Sequence, residues 1–537
     1  MGGTYQLEIG ILLLVAVLVL MALARRLVVP YPIFLVLGGL ALSFVPRVPV
    51  SHLDPDLVFL IFLPPLLWAA AYFTSLRDFR ANLRPIVLLA SVLVVVTTVA
   101  VAAVARAVVP GLGWAVALAL GAIVSPPDAV AATAIARRLG IPHRVVTILE
   151  GESLVNDAMA LVLYRVAVTA AVTGTFVPGT VLWQLVLAAA GGVAVGLLVG
   201  GVTRRALRVT EDSLAAVAIT LLAPYAAWVI GERLHVSAVL ACVAGGLYVR
   251  QGLSELASPA MRLQARAVWD LLVFVLNGVI FILIGLQLGA IREAGLPSGL
   301  GTLVVQGALI SVTAIVARLV WVPLGTVIPR LLSPALRQRD PFPPWSHVLV
   351  VAWTGMRGIV SLAAALALPL TTASGAPFPF RNEVILLTFG VILATLVVQG
   401  LSLTPLIRAL DLGQDNSLEL EGARAREAAA RAALARLDDL ASTAWARRED
   451  VDRLRATYDQ RIQRASSIDP GAGEASARAQ AALRRLRHET ITAERRAVIA
   501  LRDQGAISDE VLHRIEQELD VEAMRIGLGE VRLDGGS

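Results

Sequence analysis

Two carboxylates in this 537-residue chain stand where carboxylates are costly. Asp128 directly follows Pro126 and Pro127 in the apolar run GAIVSPPDAVAATAI, and Asp157 lies in LEGESLVNDAMALVLY beside Asn156. A charged side chain at bilayer depth costs at least ~2.5 to 3.5 kcal/mol, so an acid kept there is paired or lies on an ion path. The two prolines remove amide hydrogens and clash with the preceding turn, which forces the helix to kink or unwind and frees carbonyls. Lipid tolerates such a break only where it faces protein or a cavity. Freed carbonyls, the Ser125 hydroxyl and the Asp128 carboxylate form an all-oxygen set suited to a small hard cation, and opposed half-helix ends recur in transporters. Asp128 also suits the N-cap of the second half-helix, and both readings stand at this level.

In the second stretch Glu152 and Asn156 share one helix face, and Ser153 and Asp157 the neighbouring one. Asp157 can therefore join a hydroxyl and unwound carbonyls around one ion. Capping near the interface accounts for Glu150 but not for Asp157, seven residues deeper. A third stretch, VVAWTGMRGIVSLAAALAL, holds Arg357 between Gly355 and Gly358, so this helix either approaches a neighbour closely or breaks as well. Its guanidinium cannot shed its proton and needs an anion. Glu152 is the candidate partner, which assigns the Glu152–Arg357 pair a structural role. Asn277 with Gly278, Gly285 and Gly289 marks a close helix contact, and Pro64–Pro65 a bent helix. His143 and His347 lie near span ends and read as satisfied interfacial histidines rather than pH sensors. Cys242, the single cysteine, reads as a buried small hydrophobe and rules out an intramolecular disulfide.

The elements that position these residues are apolar helices. The chain is 57% hydrophobic with mean hydropathy +0.76, against about 45 to 50% apolar in soluble domains. Apolar segments fall at 8–24, 31–46, 56–74, 85–108, 113–136, 146–172, 181–203, 213–231, 236–250, 267–290, 303–329, 346–369 and 383–407, thirteen in all. The first lacks a basic leader and a small-residue cleavage site, so it reads as a retained helix. Alternate loops carry eighteen arginines on one side, among them Arg77, Arg144 and Arg330, and five on the other. The positive-inside rule then puts the N-terminus outside and the C-terminal tail in the cytoplasm, in a multi-pass plasma-membrane protein. Up to Asp411 there are 26 arginines against 17 acids, and beyond it 20 against 23. The overall charge of +6 thus reflects membrane loops and not a nucleic-acid surface. From about Gln414 the sequence turns to Ala, Arg, Glu and Asp with helical charge spacing. The segment SSIDPGAGEAS reads as a hinge, and Val511, Ile515 and Leu519 as an apolar packing stripe. This tail reads as a cytoplasmic bundle or dimerisation arm; it carries no phosphate loop, metal cluster or nucleophile motif.

Taken in order, FLPPLLW, SPPDAVA, EGESLVNDA, NGVIFILIGL and GMRGIVSLA resemble the bacterial sodium/proton antiporters of the monovalent cation:proton antiporter-1 family, the NhaP-like relatives of eukaryotic sodium/hydrogen exchangers. The resemblance covers roughly Glu8 to Leu412. It implies an all-α polytopic membrane protein with about thirteen transmembrane helices in two inverted repeats, two of them broken and crossing, and a core domain beside a dimerisation domain. Residues 1–411 would be the exchanger and 412–537 a helical cytoplasmic tail whose partner the family does not name. Asp157 would be the carboxylate that exchanges proton and cation. Asp128, Ser153 and the carbonyl of Pro127 would help surround the ion, and Glu152 and Arg357 would form the buried structural pair. Asn156 stands where electrogenic relatives carry a second aspartate, which implies electroneutral exchange. Many members read Ser-Pro-Thr-Asp-Pro where this chain has Ser125, Pro126, Pro127, Asp128 and Ala129, so a threonine hydroxyl is missing and the preference among sodium, lithium and potassium is open. The family reading calls for lipid surroundings, a homodimer, a role in pH and sodium homeostasis, and no cofactor beyond the transported ions.

Other classes fit less well. A cation channel needs a multi-site conduction path, whereas these acids cluster at one depth. A carrier of organic solutes calls for more aromatic and hydrogen-bonding groups around the broken helices, and aromatics are 5% of the chain. An intramembrane enzyme would need HExxH, paired GxGD-like aspartates or a serine–histidine pair, and the spans contain none.

Overall fold

The computed structural model describes residues 2–27, 31–44, 55–174, 178–293, 299–412, 417–443, 445–466, 474–504, 506 and 508–525. The chain divides into two compact units, Met1–Gln414 and Asp415–Ser537. The first begins with α1 (Gly2–Leu27), α2 (Tyr31–Leu42), α3 (Pro55–Phe73), α4 (Leu76–Ala81) and α5 (Leu83–Val87). A π-helical stretch over Leu88–Leu93 leads into α6 (Val94–Val108), α7 (Trp114–Val124), α8 (Ala129–Arg138) and α9 (His143–Thr173). Then come α10 (Pro178–Val209), α11 (Ser213–Arg233), α12 (Ala238–Leu256), α13 (Pro259–Glu293), α14 (Leu300–Leu332) and α15 (Pro334–Arg339). The unit closes with α16 (Trp345–Trp353), α17 (Ile359–Leu366) and α18 (Arg381–Ala409). Among the described residues, eight helical stretches are long and apolar enough to cross a membrane, and four shorter apolar helices accompany them. The unit is thus all-α and polytopic.

Local chemistry sets the helix ends. Ser75, Asp212, Ser237 and Ser333 each accept from an amide in the first turn of the helix that follows. Gly174, at φ +71°, closes α9 in the left-handed conformation that glycine adopts without strain. α3 continues through Pro64 and Pro65, and the carbonyl of Ile61, which Pro65 leaves without its helical donor, accepts from the Tyr225 hydroxyl at 3.3 Å. Cys242 is fully buried, with its thiol against the Pro224 carbonyl.

The helices pack in two groups. In one, α10 lies on α12, α12 on α3, and α2 on α13; in the other, α7 lies on α6 and α9, and α14 on α6, α16 and α18. The α2–α13 contact is backbone on backbone. A Cβ at Gly285 would run into the carbonyl of Val36, and one at Gly39 into that of Ile282, while Gly278 faces Val17 of α1.

The second unit contains α19 (Ser417–Leu440), α20 (Arg448–Ser466), α21 (Glu474–Asp503) and α22 (Asp509–Arg525). α19 packs on α20 with an Arg455–Asp438 ion pair, and α21 on α22 with Arg495–Asp520. Of the hinge reading, residues 467–473 lie outside the described residues. The stripe of α22 differs from its sequence reading. Leu512 and Leu519 are buried and Ile515 half-buried, while Val511 is exposed. Strict spacing of four drifts around a helix of 3.6 residues per turn, and steps of three and four hold one face.

The α2–α13 seam yields the first prediction. Gly285→Val overpacks it and lowers the melting temperature of the detergent-purified protein, with overpacking costing ~1 to 3 kcal/mol. Gly301→Ala, where an added Cβ meets nothing within 4 Å, leaves melting unchanged or raises it slightly. Equal melting of G285V and wild type would refute the close packing.

Candidate functional site

Two helices break where they meet. α7 stops at Val124 and α8 resumes at Ala129; α16 stops at Trp353 and α17 resumes at Ile359. The backbone amide of Asp128 donates to the carbonyl of Met356 at 2.7 Å and joins the two breaks directly. Each break exposes one helix C-terminus with partial negative charge and one N-terminus with partial positive charge. Arg357 serves the first kind. Its Nε donates to the carbonyl of Val124, the last residue of α7, at 2.9 Å, and its Nη1 to that of Gly355, just past α16. Asp128 serves the second. Its Oδ1 accepts from the amide of Val130 in the first turn of α8 at 2.8 Å, and its carboxylate also meets the amide of Ile359, which opens α17. Gly358 lies directly beneath that carboxylate, where any Cβ would collide with Oδ2.

α9 passes this crossing unbroken and presents its polar residues to it. Asn156 Nδ2 donates to the carbonyl of Pro127 at 3.0 Å, and Ser153 Oγ accepts from the amide of Ala129 at 3.5 Å. The Pro127 carbonyl, at the break between α7 and α8, is thus engaged once and keeps a second lone pair. Asn156 Oδ1 is buried with no hydrogen-bond partner. Asp157, the next residue, is buried, and among the described residues no donor or cation meets its carboxylate. Asp128, Pro127, Ser153 and Asn156 therefore converge at the break, with Asp157 beside them.

Glu152 meets a different arginine from the one the sequence reading chose. Arg318 of α14 holds its carboxylate in a two-pronged grip, Nη2 to Oε2 at 2.8 Å and Nη1 to Oε1. Arg318 Nε donates to the carbonyl of Val351 in α16 at 3.0 Å. Both partners of the ion pair are buried, with side-chain exposures of 1% and 2%. The Glu152–Arg357 pairing is corrected accordingly, because Arg357 directs its guanidinium to helix-end carbonyls while Arg318 offers the fork edge that matches a carboxylate. The signal for Arg318 was available, since it is the lone charge in TAIVARLVWVP and carries the same burial cost. Two residues of α18 were also missed. Thr395 Oγ1 accepts from the Arg357 amide at 3.2 Å, and Gln399 Nε2 donates to the carbonyl of Trp353 at 2.8 Å. Their spacing of four within an apolar span was the clue.

His143 lies outside this site, with Nε2 3.2 Å from Asp78 Oδ2 and near the Thr147 hydroxyl. Burial pushes the Asp78 carboxyl up, and hydrogen bonds from His143 and Ser75 outweigh it, holding the group below the usual carboxylate range.

The family model described as sodium/hydrogen exchanger, transmembrane, matches residues 12–409. A protein of Mycobacterium tuberculosis named as an uncharacterized Na(+)/H(+) exchanger is 36% identical over 530 residues, covering 98% of this chain and 97% of its own. One of Escherichia coli with the same description is 33% identical over 539 residues, covering 95% and 97%. The solved structure of the sodium proton antiporter MjNhaP1 from Methanocaldococcus jannaschii shares the fold, with a TM-score of 0.60 at 20% identity over 76% of this chain and 98% of that one. The chain therefore belongs to the sodium/hydrogen exchanger family, in its bacterial NhaP-like, monovalent cation:proton antiporter-1 branch, and is a multi-pass membrane protein and secondary active cation/proton antiporter.

Proposed function

We propose that this antiporter exchanges sodium for a proton, one for one, by competition of the two ions for Asp157; lithium and potassium are the alternative cations. The observation that carries this reading is the buried, uncompensated Asp157 carboxylate beside the orphaned oxygen of Asn156. A bare carboxylate at that depth is costly to move through protein, and either a proton or a cation removes the cost. Loaded states then cross and the empty state does not, which couples the two ions. Asp157, Asp128, the Ser153 hydroxyl, the Asn156 oxygen and the second lone pair of the Pro127 carbonyl supply oxygens suited to a hard cation. Exchange is electroneutral in this reading because Asn156 adds no charge and Asp128 is engaged by two helix starts.

The wider architecture follows the family. Thirteen crossings form two inverted repeats in the plasma membrane, with the N-terminus outside and the C-terminus in the cytoplasm. The group containing α6–α9, α14 and α16–α18 acts as the core and moves against the group containing α1–α3 and α10–α13, which pairs with a second copy. Residues 1–411 carry exchange, 412–537 form a cytoplasmic helical tail, and the protein serves pH and sodium homeostasis.

The test is proton flux in proteoliposomes with an imposed pH gradient. Sodium collapses the gradient with wild type, and valinomycin with potassium leaves the rate unchanged because no net charge moves. Asp157→Asn (D157N) abolishes the collapse in protein that elutes as a folded species. Normal exchange by D157N would sink the single-carboxylate mechanism. Ser153→Ala raises the half-saturating sodium concentration about fivefold, the equivalent of ~1 kcal/mol for one lost ligand contact, and an unchanged value would remove Ser153 from the site.

The Glu152–Arg318 pair holds α9, α14 and α16 together while the core moves. Arg318→Met leaves Glu152 buried and uncompensated and costs about 3 to 5 kcal/mol, whereas the double variant E152Q/R318M recovers most of that loss. Thermal unfolding of both variants against wild type reads the difference, and equal melting of single and double variants would argue against the pair.

A further inference from the structure

Away from the crossing, a cavity of about 70 Å³ opens between the π-helical stretch, α9, α14 and α16. Its walls are apolar, formed by residues such as Leu89, Ile148, Val322 and Val351, and Arg84, Arg144 and Arg330 line it as well. All three arginines turn to Asp340, whose carboxylate accepts from Arg330 at 2.6 Å, Arg144 at 2.8 Å and Arg84 at 3.5 Å. One carboxylate against three guanidinium groups leaves an excess of positive charge. A second observation is independent of charge. Arg84 Nε and Trp321 Nε1, both on residues lining this cavity, are buried N–H groups without an acceptor. A buried donor without an acceptor keeps its full desolvation cost, and two at one cavity call for an oxygen-rich partner.

We propose that this cavity binds a phosphate-bearing anion, supplied by the headgroup of an anionic phospholipid. Phosphate oxygens match the arginine fork and accept from both orphaned donors. The apolar walls favour a lipid over a hydrated free ion, and basic pockets between membrane helices are a recurrent lipid site. The cavity also adjoins the buried ion pair. Val351 lines it and accepts from Arg318, and Ile148 lies one turn before Glu152. An occupant therefore braces the wall on which that pair rests.

The test follows thermal unfolding of the full-length protein in neutral detergent while phosphatidylglycerol, phosphatidylcholine or inorganic phosphate is added. Phosphatidylglycerol raises the melting temperature of wild type and phosphatidylcholine does not. Trp321→Phe, which removes only the N–H, and Arg84→Gln each need about fivefold more phosphatidylglycerol for the same rise, as expected for ~1 kcal/mol per hydrogen bond. The same rise with inorganic phosphate, weakened by the same substitutions, keeps the site and assigns it to a soluble phosphate. No rise with either anion, or a rise that W321F leaves unchanged, overturns the proposal; W321F keeps the ring in place and remains readable should R84Q fail to fold.

Discussion

The site rests on the disposal of four helix ends at one crossing. Breaking two helices inside an apolar bundle exposes two partial negative and two partial positive poles where no bulk water can answer them. Arg357 answers both negative ends and Asp128 both positive ones. The neighbouring sequence serves this arrangement. Pro126 and Pro127 end α7, Gly358 lets α17 begin beneath a carboxylate, and the amide of Asp128 bonds across to Met356. α9 is then registered against the crossing by Asn156 on Pro127 and Ser153 on Ala129, which fixes the height of Asp157.

A second constraint ties helices that are far apart in sequence. Arg318 reaches Glu152 on α9 and Val351 on α16 from α14, and its stem passes over Gly355, where a Cβ would lie 2.9 Å from Cδ. Desolvating two charges is expensive, and their attraction offsets it only where the geometry is good and the remaining donors are satisfied. The two-pronged grip and the Val351 carbonyl meet that condition. The pair contributes less to net stability than to specificity, because any sliding of α9 against α14 or α16 would separate buried charges. These helices are therefore constrained to move as one body.

Much of this was legible in sequence wherever a residue type dictates its own consequence. Pro126 and Pro127 disfavour a continuous helix, although α3 accommodates Pro64 and Pro65, and a buried acid is costly without a partner, so the Asp128 break and the need of Glu152 for a cation were both readable. Which cation was not. The span sequences offer two deep arginines, Arg318 and Arg357, and glycines on either side drew attention to Arg357. Choosing between them requires knowing that Arg357 faces helix ends, which is set by the crossing and not by local spacing. Gly285 announced a close contact, but its counterpart Gly39 on α2 looked like any glycine in an apolar helix until the two backbones were seen together. The cluster around Asp340 was invisible for the same reason, because its arginines come from residues 84, 144 and 330.

The charges at the crossing bear on stoichiometry. Glu152 is balanced by Arg318, and half-buried Asp128 and buried Arg357 complement the helix ends as an opposite pair. Asp157 is the remaining charge in this set, with no partner among the described residues. A proton or one monovalent cation brings the set to neutrality; two would overshoot it and carry the desolvation cost of an extra positive charge. A second carboxylate in place of Asn156 would remove that limit, and it would also cost the Nδ2 donor that holds the Pro127 carbonyl. The same asparagine thus supports the fold of the break and, in the one-for-one reading, sets the charge that crosses with each cycle.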